Sequence, residues 1–392
     1  MEDKGKVLYT SSSASPQSGA YRKLLQMREG MREQGWETFL VLPERNLEES
    51  KFTEGEMYYL PLPSVRLGMG LGSYIKFLFS NLAAVVRLIR IIRKEKVDIV
   101  HVNEVYDLYG GLAAKCTYAR CVWHVRAEFS DWGFAHWFLP RIVHRLADRI
   151  VVVSKSVKEK VFSNQGLGTK KVMVVYDQGP DSAIFHPQIN SGKIRDEFNL
   201  QVQKNVVTMI GKLTQRKGHE TFVRAAARVL KAFPEAVFFL VGGALDAPHH
   251  QAYARRLQRL PASLGIEDQV RFTGYRPDVA EIMAVSDVIV HCSLYPDPFP
   301  GVVLQAMAVG KAVVASSIGG PREQIEEGVS GVLIEPGDPK RLAEAIRSLL
   351  SDGEKRSALG REAAKKVKRD FKPEIFYNQM DDLYRFLMRV ER

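Results

Sequence analysis

Apolar residues recur along this chain in two alternating rhythms. Short runs rich in β-branched and aromatic residues, such as KVLYT (Lys6–Thr10), TFLVLP (Thr38–Pro43), NVVTMIG (Asn205–Gly211) and AVFFLVGG (Ala236–Gly243), read as buried strands. Between them lie stretches whose apolar positions return every three or four residues, among them LLQMREGMREQG (Leu24–Gly35), Lys340–Leu350 and Glu354–Phe371, which read as helices lying on a sheet. Strand and helix alternate throughout, the pattern of an α/β protein with parallel sheets. The strand, small-residue loop and helix that open the chain near residue 6 are repeated near residue 206, so the expectation is two Rossmann-like domains. The polar stretch Gln188–Lys204 between them reads as a linker with one helical turn.

The segment Tyr74–Lys96 is the most amphipathic. Its apolar stripe is Ile75, Leu78, Leu82, Val85, Ile89 and Ile92, its basic stripe Arg87, Arg90 and Lys94, and Phe77, Leu88 and Ile91 fall outside the stripe as exposed apolar extras. It has nothing near the roughly 20 unbroken apolar residues that span a bilayer. Two readings stay open: a helix packed on the sheet with a solvated basic face, or an interfacial helix making peripheral contact with anionic lipid through residues 74–96.

Length and charge narrow the picture. At 392 residues the chain exceeds one ordinary core and suits two domains. A net charge of +11 favours anionic partners, and no zinc-finger spacing or nucleic-acid module accompanies it, so nucleic acid is not expected. Cys116, Cys121 and Cys292 form no CxxC pair and read as reduced, buried thiols. No apolar signal core precedes the first strand, which points to a cytoplasmic protein, either free or peripheral at the inner face of the membrane.

Four places carry chemistry. Cys292–Ser316 reads as a strand end, a Pro-stiffened loop, a short helix starting at Gly301 and stopped by Gly310, and a new strand; the free N–H groups at that helix start form an anion site. Gly211, Lys212, Arg216, Lys217 and Gly218 lie in a strand-to-helix loop, where two flexible lysines between glycines suit a diphosphate, Arg216 being a solvent-facing neighbour. Ser18 and Gly19 close the first Gly/Ser loop at a sheet's carboxyl edge. The strand CVWHVRAE places His124 and Arg126 on one face. The aromatic segment Phe129–Phe138, with Trp132 and Trp137, is assigned to packing in preference to sugar stacking. No DxD-type metal signature is present, so no metal is expected, and no motif points to a bound cofactor.

The stretch from Asp297 through Phe299, Gln305, Ala306, Met307 and Gly310 to VVAS resembles the signature of the retaining nucleotide-sugar glycosyltransferases of family four, with Asp and Gln where that signature has two glutamates. The resemblance covers nearly the whole chain. It implies a GT-B fold of two Rossmann-like domains facing across a cleft: 1–185 on the acceptor side, 186–370 for the donor, and 371–392 as a helix crossing back to the first domain. It implies retaining transfer, without metal, from a nucleotide-diphosphate sugar to a glycan, lipid-linked or small-molecule acceptor in envelope or polysaccharide synthesis. The catalytic residues it implies are Asp297 and either Arg126 or His124, where the family places a histidine near the donor sugar. The donor residues are Gly211, Lys212, Lys217, Arg276 in a base-binding turn, Phe299, Pro300, Gly301, Val302, Gln305 near the ribose, and Glu323 in a Gly-Gly-x-x-Glu loop; Ser18 and Gly19 belong to the acceptor side. A nucleotide-binding protein of the same fold without turnover, motivated by Asp297 and Gln305, and a nucleotide-sugar epimerase are the alternatives.

Overall fold

The computed structural model of the chain describes residues 4–15, 18–43, 56–62, 71–128, 134–200 and 205–390, with backbone alone for 71–80 and 134–136. The elements run β1 (Lys6–Thr10), α1 (Gly19–Glu33), β2 (Glu37–Leu42), β3 (Met57–Tyr59), α2 (Leu71–Glu95), β4 (Ile99–Val102), α3 (Leu108–Lys115), β5 (Arg120–Val125), α4 (Phe134–Leu146), β6 (Arg149–Val152), α5 (Lys155–Val161) and β7 (Val172–Val174). They continue as α6 (Gly192–Glu197), β8 (Val206–Ile210), α7 (His219–Val229), β9 (Val237–Val241), α8 (Pro248–Ser263), β10 (Val270–Gly274), α9 (Val279–Val285), β11 (Val288–His291), α10 (Gly301–Ala308) and β12 (Ala312–Ser316). The last are α11 (Pro321–Gln324), β13 (Val332–Ile334), α12 (Pro339–Ser351), α13 (Gly353–Asp370) and α14 (Pro373–Arg389).

The chain divides into two compact units, Met1–Gln178 with Glu374–Arg392, and Gly179–Pro373. The break falls after Gln178 rather than after Phe185, because Gly179 N–H donates to the Phe371 carbonyl at 2.9 Å and so belongs to the second unit. Ile194 and Leu200 are buried with Val206, Val237, Phe239 and Ile282 in a core of that unit.

The first unit is built on a sheet ordered β3-β2-β1-β4-β5-β6-β7, the second on one ordered β10-β9-β8-β11-β12-β13, and every pairing is parallel. Helices cover both faces, so central strands are apolar at consecutive positions. In β9, Phe238 and Leu240 enter the core under α7, α8 and α12, while Val237, Phe239 and Val241 enter the core with α6 and α9. In the first unit α1 and α14 share a core with β1 and β2, Tyr21, Leu24, Met27 and Met31 meeting Phe376, Met380, Leu383, Tyr384 and Leu387.

The buried stripe of α2 differs from the one its periodicity suggested. Ala84, Val85, Leu88, Ile91 and Ile92 are buried, whereas Leu82 is 61% exposed and Val86 42%. Leu88, expected outside, is completely covered. In a helix apolar on more than one side the packing partner chooses the face, and α2 turns toward its neighbour α3. Among the described residues no helix is long and apolar enough to cross a membrane. Cys121 and Cys292 are buried, but Cys116, expected inside, is exposed at the end of α3.

Leu88→Ala should therefore cost about 2–4 kcal/mol of unfolding free energy, and Leu82→Ala less than about 0.5 kcal/mol. Urea titrations of the two variants compare them directly; equal losses would contradict this orientation of α2.

Candidate functional site

In an open parallel sheet the crevice for a ligand opens where the strand order reverses, beyond the carboxyl ends of the strands on either side. In the second unit that point lies between β8 and β11. The loop after β8 is residues 211–218 and the loop after β11 is 292–300, so the lysine loop and the Pro-rich loop meet there. Gly218 holds them together: its φ is +79°, and a Cβ would lie 2.0 Å from the Cys292 carbonyl oxygen. The Cys292 thiol reaches back to the Gly218 carbonyl at 3.3 Å.

Lys217 and Asp297 form an ion pair across these loops. The His291 ring, at the end of β11, brings Nε2 to 3.6 Å from the same carboxylate oxygen and to 3.3 Å from the Ser293 hydroxyl. Both neighbours address one ring nitrogen, so the three residues are not a Ser-His-Asp relay, which would use both. Burial, then the Lys217 charge, hold His291 down to about 4 against the pull of Asp297, and the ring is neutral at pH 7. Burial pushes the Asp297 carboxyl up, but Lys217 and His291 outweigh it and hold the group below the usual carboxylate range.

The Asp297 backbone is fixed from the loop after β12. It bridges to Gly319, whose φ is +67° and whose Cβ would meet the Asp297 carbonyl oxygen at 2.5 Å, and that carbonyl accepts from Gly320 N–H at 2.8 Å. Helix α10 follows with Pro300 at its N-cap and no side chain capping it. No side chain therefore satisfies the N–H groups at this helix start, which follows Asp297 in the same loop. Gly310 N–H donates to Met307 O at 2.9 Å and Lys311 N–H to Ala306 O at 3.0 Å, closing the helix as a Schellman motif with Gly310 at φ +74°.

The remaining residues expected for a donor divide. Lys212 is exposed and Gly211, Gly301, Val302, Gln305 and Glu323 are half-buried around these loops and α10–α11. Phe299 is interior, edge-to-face with Phe371 at 5.7 Å, and Pro300 is buried with its carbonyl accepting from Gln324 Nε2 at 3.1 Å. The Arg276 guanidinium is taken up by Asp278 at 2.7 and 2.8 Å and by Glu197 at 2.7 Å, so its charge ties the loop after β10 to α6. Arg216 is exposed and lies over the Tyr295 ring at 4.7 Å. His291 and Gln324 were not anticipated: a lone His in a strand and a Gln beside Glu323 carry no spacing signal.

In the first unit the reversal lies between β1 and β4. Ser18 caps α1 by accepting from Tyr21 N–H at 3.4 Å, and the space beside Gly19 is open. Beyond β4, Asp107 accepts from Ser12 N–H at 3.0 Å; burial, then the Glu104 carboxylate, raise its pKa to about 8. Burial raises Glu104 to about 7 with Arg126 acting against it. The choice between His124 and Arg126 is one between inside and rim. His124 is fully enclosed, stacked on Phe376 and 3.3 Å from His101, so it is corrected from a sugar-facing candidate to an interior group. Arg126 lies just beyond the end of β5, donating to Asn103 Oδ1 at 2.9 Å and paired with Asp177 at 3.0 Å. Trp137, expected to pack, is 52% exposed with the Arg141 guanidinium 3.9 Å above it, and Trp132 lies outside the described residues.

Two parallel doubly wound units of this kind define the GT-B fold, and solved structures agree. HepE of Anabaena in complex with UDP superposes with a TM-score of 0.81 at 24% identity, over 96% of this chain and 99% of that one. Sucrose-phosphate synthase of Thermosynechococcus elongatus gives 0.82 at 21% identity, over 98% and 99%. Two family models match the chain: the one described as "Glycosyl transferases group 1" over residues 190–366, and "Glycosyltransferase Family 4" over residues 18–177. Among relatives, D-inositol 3-phosphate glycosyltransferase of Corynebacterium kroppenstedtii is 31% identical over 225 residues, 55% of this chain and 49% of that protein. Spore coat protein SA of Bacillus subtilis is 30% identical over 233 residues, 57% and 61%. The chain thus spans about half to three fifths of the length of these relatives.

Asp107 ionises near 8 in the fold and near 4 when unfolded, so between those values the folded state holds the extra proton and stability falls as pH rises. The unfolding free energy of the wild type minus that of Asp107→Asn, from urea titrations between pH 5 and 8, should therefore fall as pH rises, a difference in which the opposite slope from the buried histidines cancels. An unchanged slope would contradict the placement of Asp107.

Proposed function

We propose that the chain is a retaining glycosyltransferase that moves a sugar from a nucleotide-diphosphate sugar to the hydroxyl of a sugar or lipid-linked acceptor. The observation that carries this reading is the meeting of Lys217 and Asp297 beside the uncapped N-terminus of α10, at the switch point of the second sheet. Departure of a nucleoside diphosphate concentrates negative charge on its phosphates. Lys217, Lys212 and the α10 N–H groups supply fixed positive charge there, which is electrostatic stabilisation in place before the bond breaks. Lys217 turns from Asp297 to the diphosphate, and the released Asp297 carboxylate accepts from sugar hydroxyls. Gln305, a turn into α10, meets the ribose, and the backbone at Gly274–Arg276 meets the base. With the charge met by lysines, no metal is assigned a role. The names of the relatives and the UDP in the HepE structure support a nucleotide-sugar substrate.

A second reading concerns peripheral contact with a membrane. Leu82 and Val86 are exposed on α2 beside the exposed Arg87 and Arg90, a combination suited to an anionic lipid surface.

Calorimetry against UDP, GDP, ADP and their sugar conjugates should find one nucleotide class that binds, with about 10- to 100-fold weaker binding in Lys217→Ala and unchanged or tighter binding in Gln305→Glu. Transfer in EDTA should equal transfer in Mg²⁺. Binding without turnover would favour the non-catalytic alternative, and no binding at all would end the transferase reading. For the membrane, co-sedimentation with vesicles rich in anionic lipid should exceed that with neutral vesicles and fall in Leu82→Asp; equal sedimentation of both proteins would remove the second reading.

A further inference from the structure

The lysine loop of the second unit is tied to the helix that follows it by a side chain with no role assigned so far. His219, the first residue of α7, is 1% exposed, and its Nδ1 lies 3.3 Å from the Thr214 carbonyl oxygen. The same carbonyl accepts from Lys217 N–H at 3.1 Å, so one oxygen gathers the backbone of Lys217 and the ring of His219 at the start of the short 3₁₀ turn Gln215–Lys217. Gly218 lies between them with φ +79°, and no side chain caps α7. The ring is backed by Tyr253 of α8, edge-on with centroids 6.4 Å apart.

Burial, then the Lys217 charge, hold this imidazole down to about 4 against the pull of the Thr214 and Gly211 carbonyls, so at pH 7 it is neutral, with one N–H and one lone pair. A carbonyl only accepts, which puts the proton on Nδ1. Nε2 is buried and makes no hydrogen bond, to Gly211 or to any other described residue. The opposite tautomer would set the Nδ1 lone pair against the Thr214 carbonyl and bury an N–H without an acceptor. The flanks of the loop are held elsewhere: Leu213 N–H donates to Gly243 O at 2.9 Å, and Arg216 O accepts from Leu294 N–H at 2.8 Å. His219 adds the link from the turn to α7. One hydrogen bond of this kind contributes little net stability, but a turn that opens at Thr214 releases the base of the Lys217 side chain.

We propose that His219, donating from Nδ1 to the Thr214 carbonyl, is a positioning residue that holds the Gln215–Lys217 turn closed and so fixes the ammonium of Lys217 for a diphosphate. The proposal rests on the reading of Lys217 as the cation that meets the diphosphate, and deepens it by assigning the support of that cation to the first turn of α7.

The test uses the full chain labelled with ¹⁵N. In the wild type His219 should be the Nδ1–H tautomer. His219→Asn places an amide N–H where Nδ1–H stood, His219→Gln carries its amide to the Nε2 side, and His219→Phe keeps a ring without a donor. In the Gln and Phe variants amide hydrogen exchange at Lys217 should quicken about 3- to 10-fold while that of β9 stays unchanged. Whichever of UDP, GDP and ADP binds the wild type should bind these two variants about 3- to 10-fold more weakly. His219→Asn should stay within about twofold of the wild type in both measurements, and His219→Phe added to Lys217→Ala should bring no further loss of binding. An Nε2–H tautomer in the wild type, exchange at Lys217 unmoved by His219→Phe, equal behaviour of the Asn and Gln variants, or additive losses in the double variant would each overturn the proposal. Should His219→Phe not fold, His219→Gln takes its place in every comparison with the wild type and with His219→Asn. Should the wild type bind none of the three nucleotides, the transferase reading fails by itself, and the tautomer and the exchange rates still decide whether the ring holds the loop.

Discussion

Both units obey one constraint: parallel strands deliver all their outgoing loops to the same edge, and a sheet that reverses its order must leave a gap there. The gap between β8 and β11 is where the loop holding Lys217 and the loop holding Asp297 come within contact, although the two residues are far apart in sequence. Once that geometry is imposed, close backbone approaches follow, and Gly218 and Gly319 are found where a Cβ would strike a neighbouring carbonyl. The charged pair is thus held by the backbone of three loops, not by the reach of two long side chains.

The first unit meets the same constraint differently. Its gap is lined by carboxyl groups whose pKa burial raises, and by Arg126, whose partners Asn103 and Asp177 leave the strands from the ends of β4 and beyond β7. In the second unit cationic side chains and an open helix end stand at the gap, whereas in the first the helix end at α1 is already capped by Ser18. The two edges therefore offer different chemistry on one architecture.

What could be read from the residues alone was whatever is local. KVLYT and NVVTMIG announce their strands because β-branched runs bounded by loops have few other uses, and Val303, Leu304, Met307 and Gly310 define α10 because spacing and stop signal agree. Lys217 and Asp297 were legible as candidates because each sits in a patterned loop. The rest depended on partners distant in sequence. The buried face of α2 was misjudged because apolar residues occur on most of its sides and only α3 decides among them. Nothing around Phe299 in the sequence records that Phe371 packs edge-to-face against it.

The placement of α14 has a consequence for the order in which this protein comes into being. The core on one face of the first sheet is completed by Phe376, Met380, Leu383, Tyr384 and Leu387. Those residues follow the whole of Gly179–Pro373, so the unit that leaves the ribosome first is finished last. At about 5–20 residues per second the intervening segment takes roughly 10–40 s to make. For that time Tyr9, Leu40, Leu42 and Val122 lack part of their cover, and the second unit has its entire sequence made before α14 supplies it. The nascent chain thus carries an apolar face in waiting, which makes the interval before α14 emerges the time when chaperone capture or misassociation is most favoured.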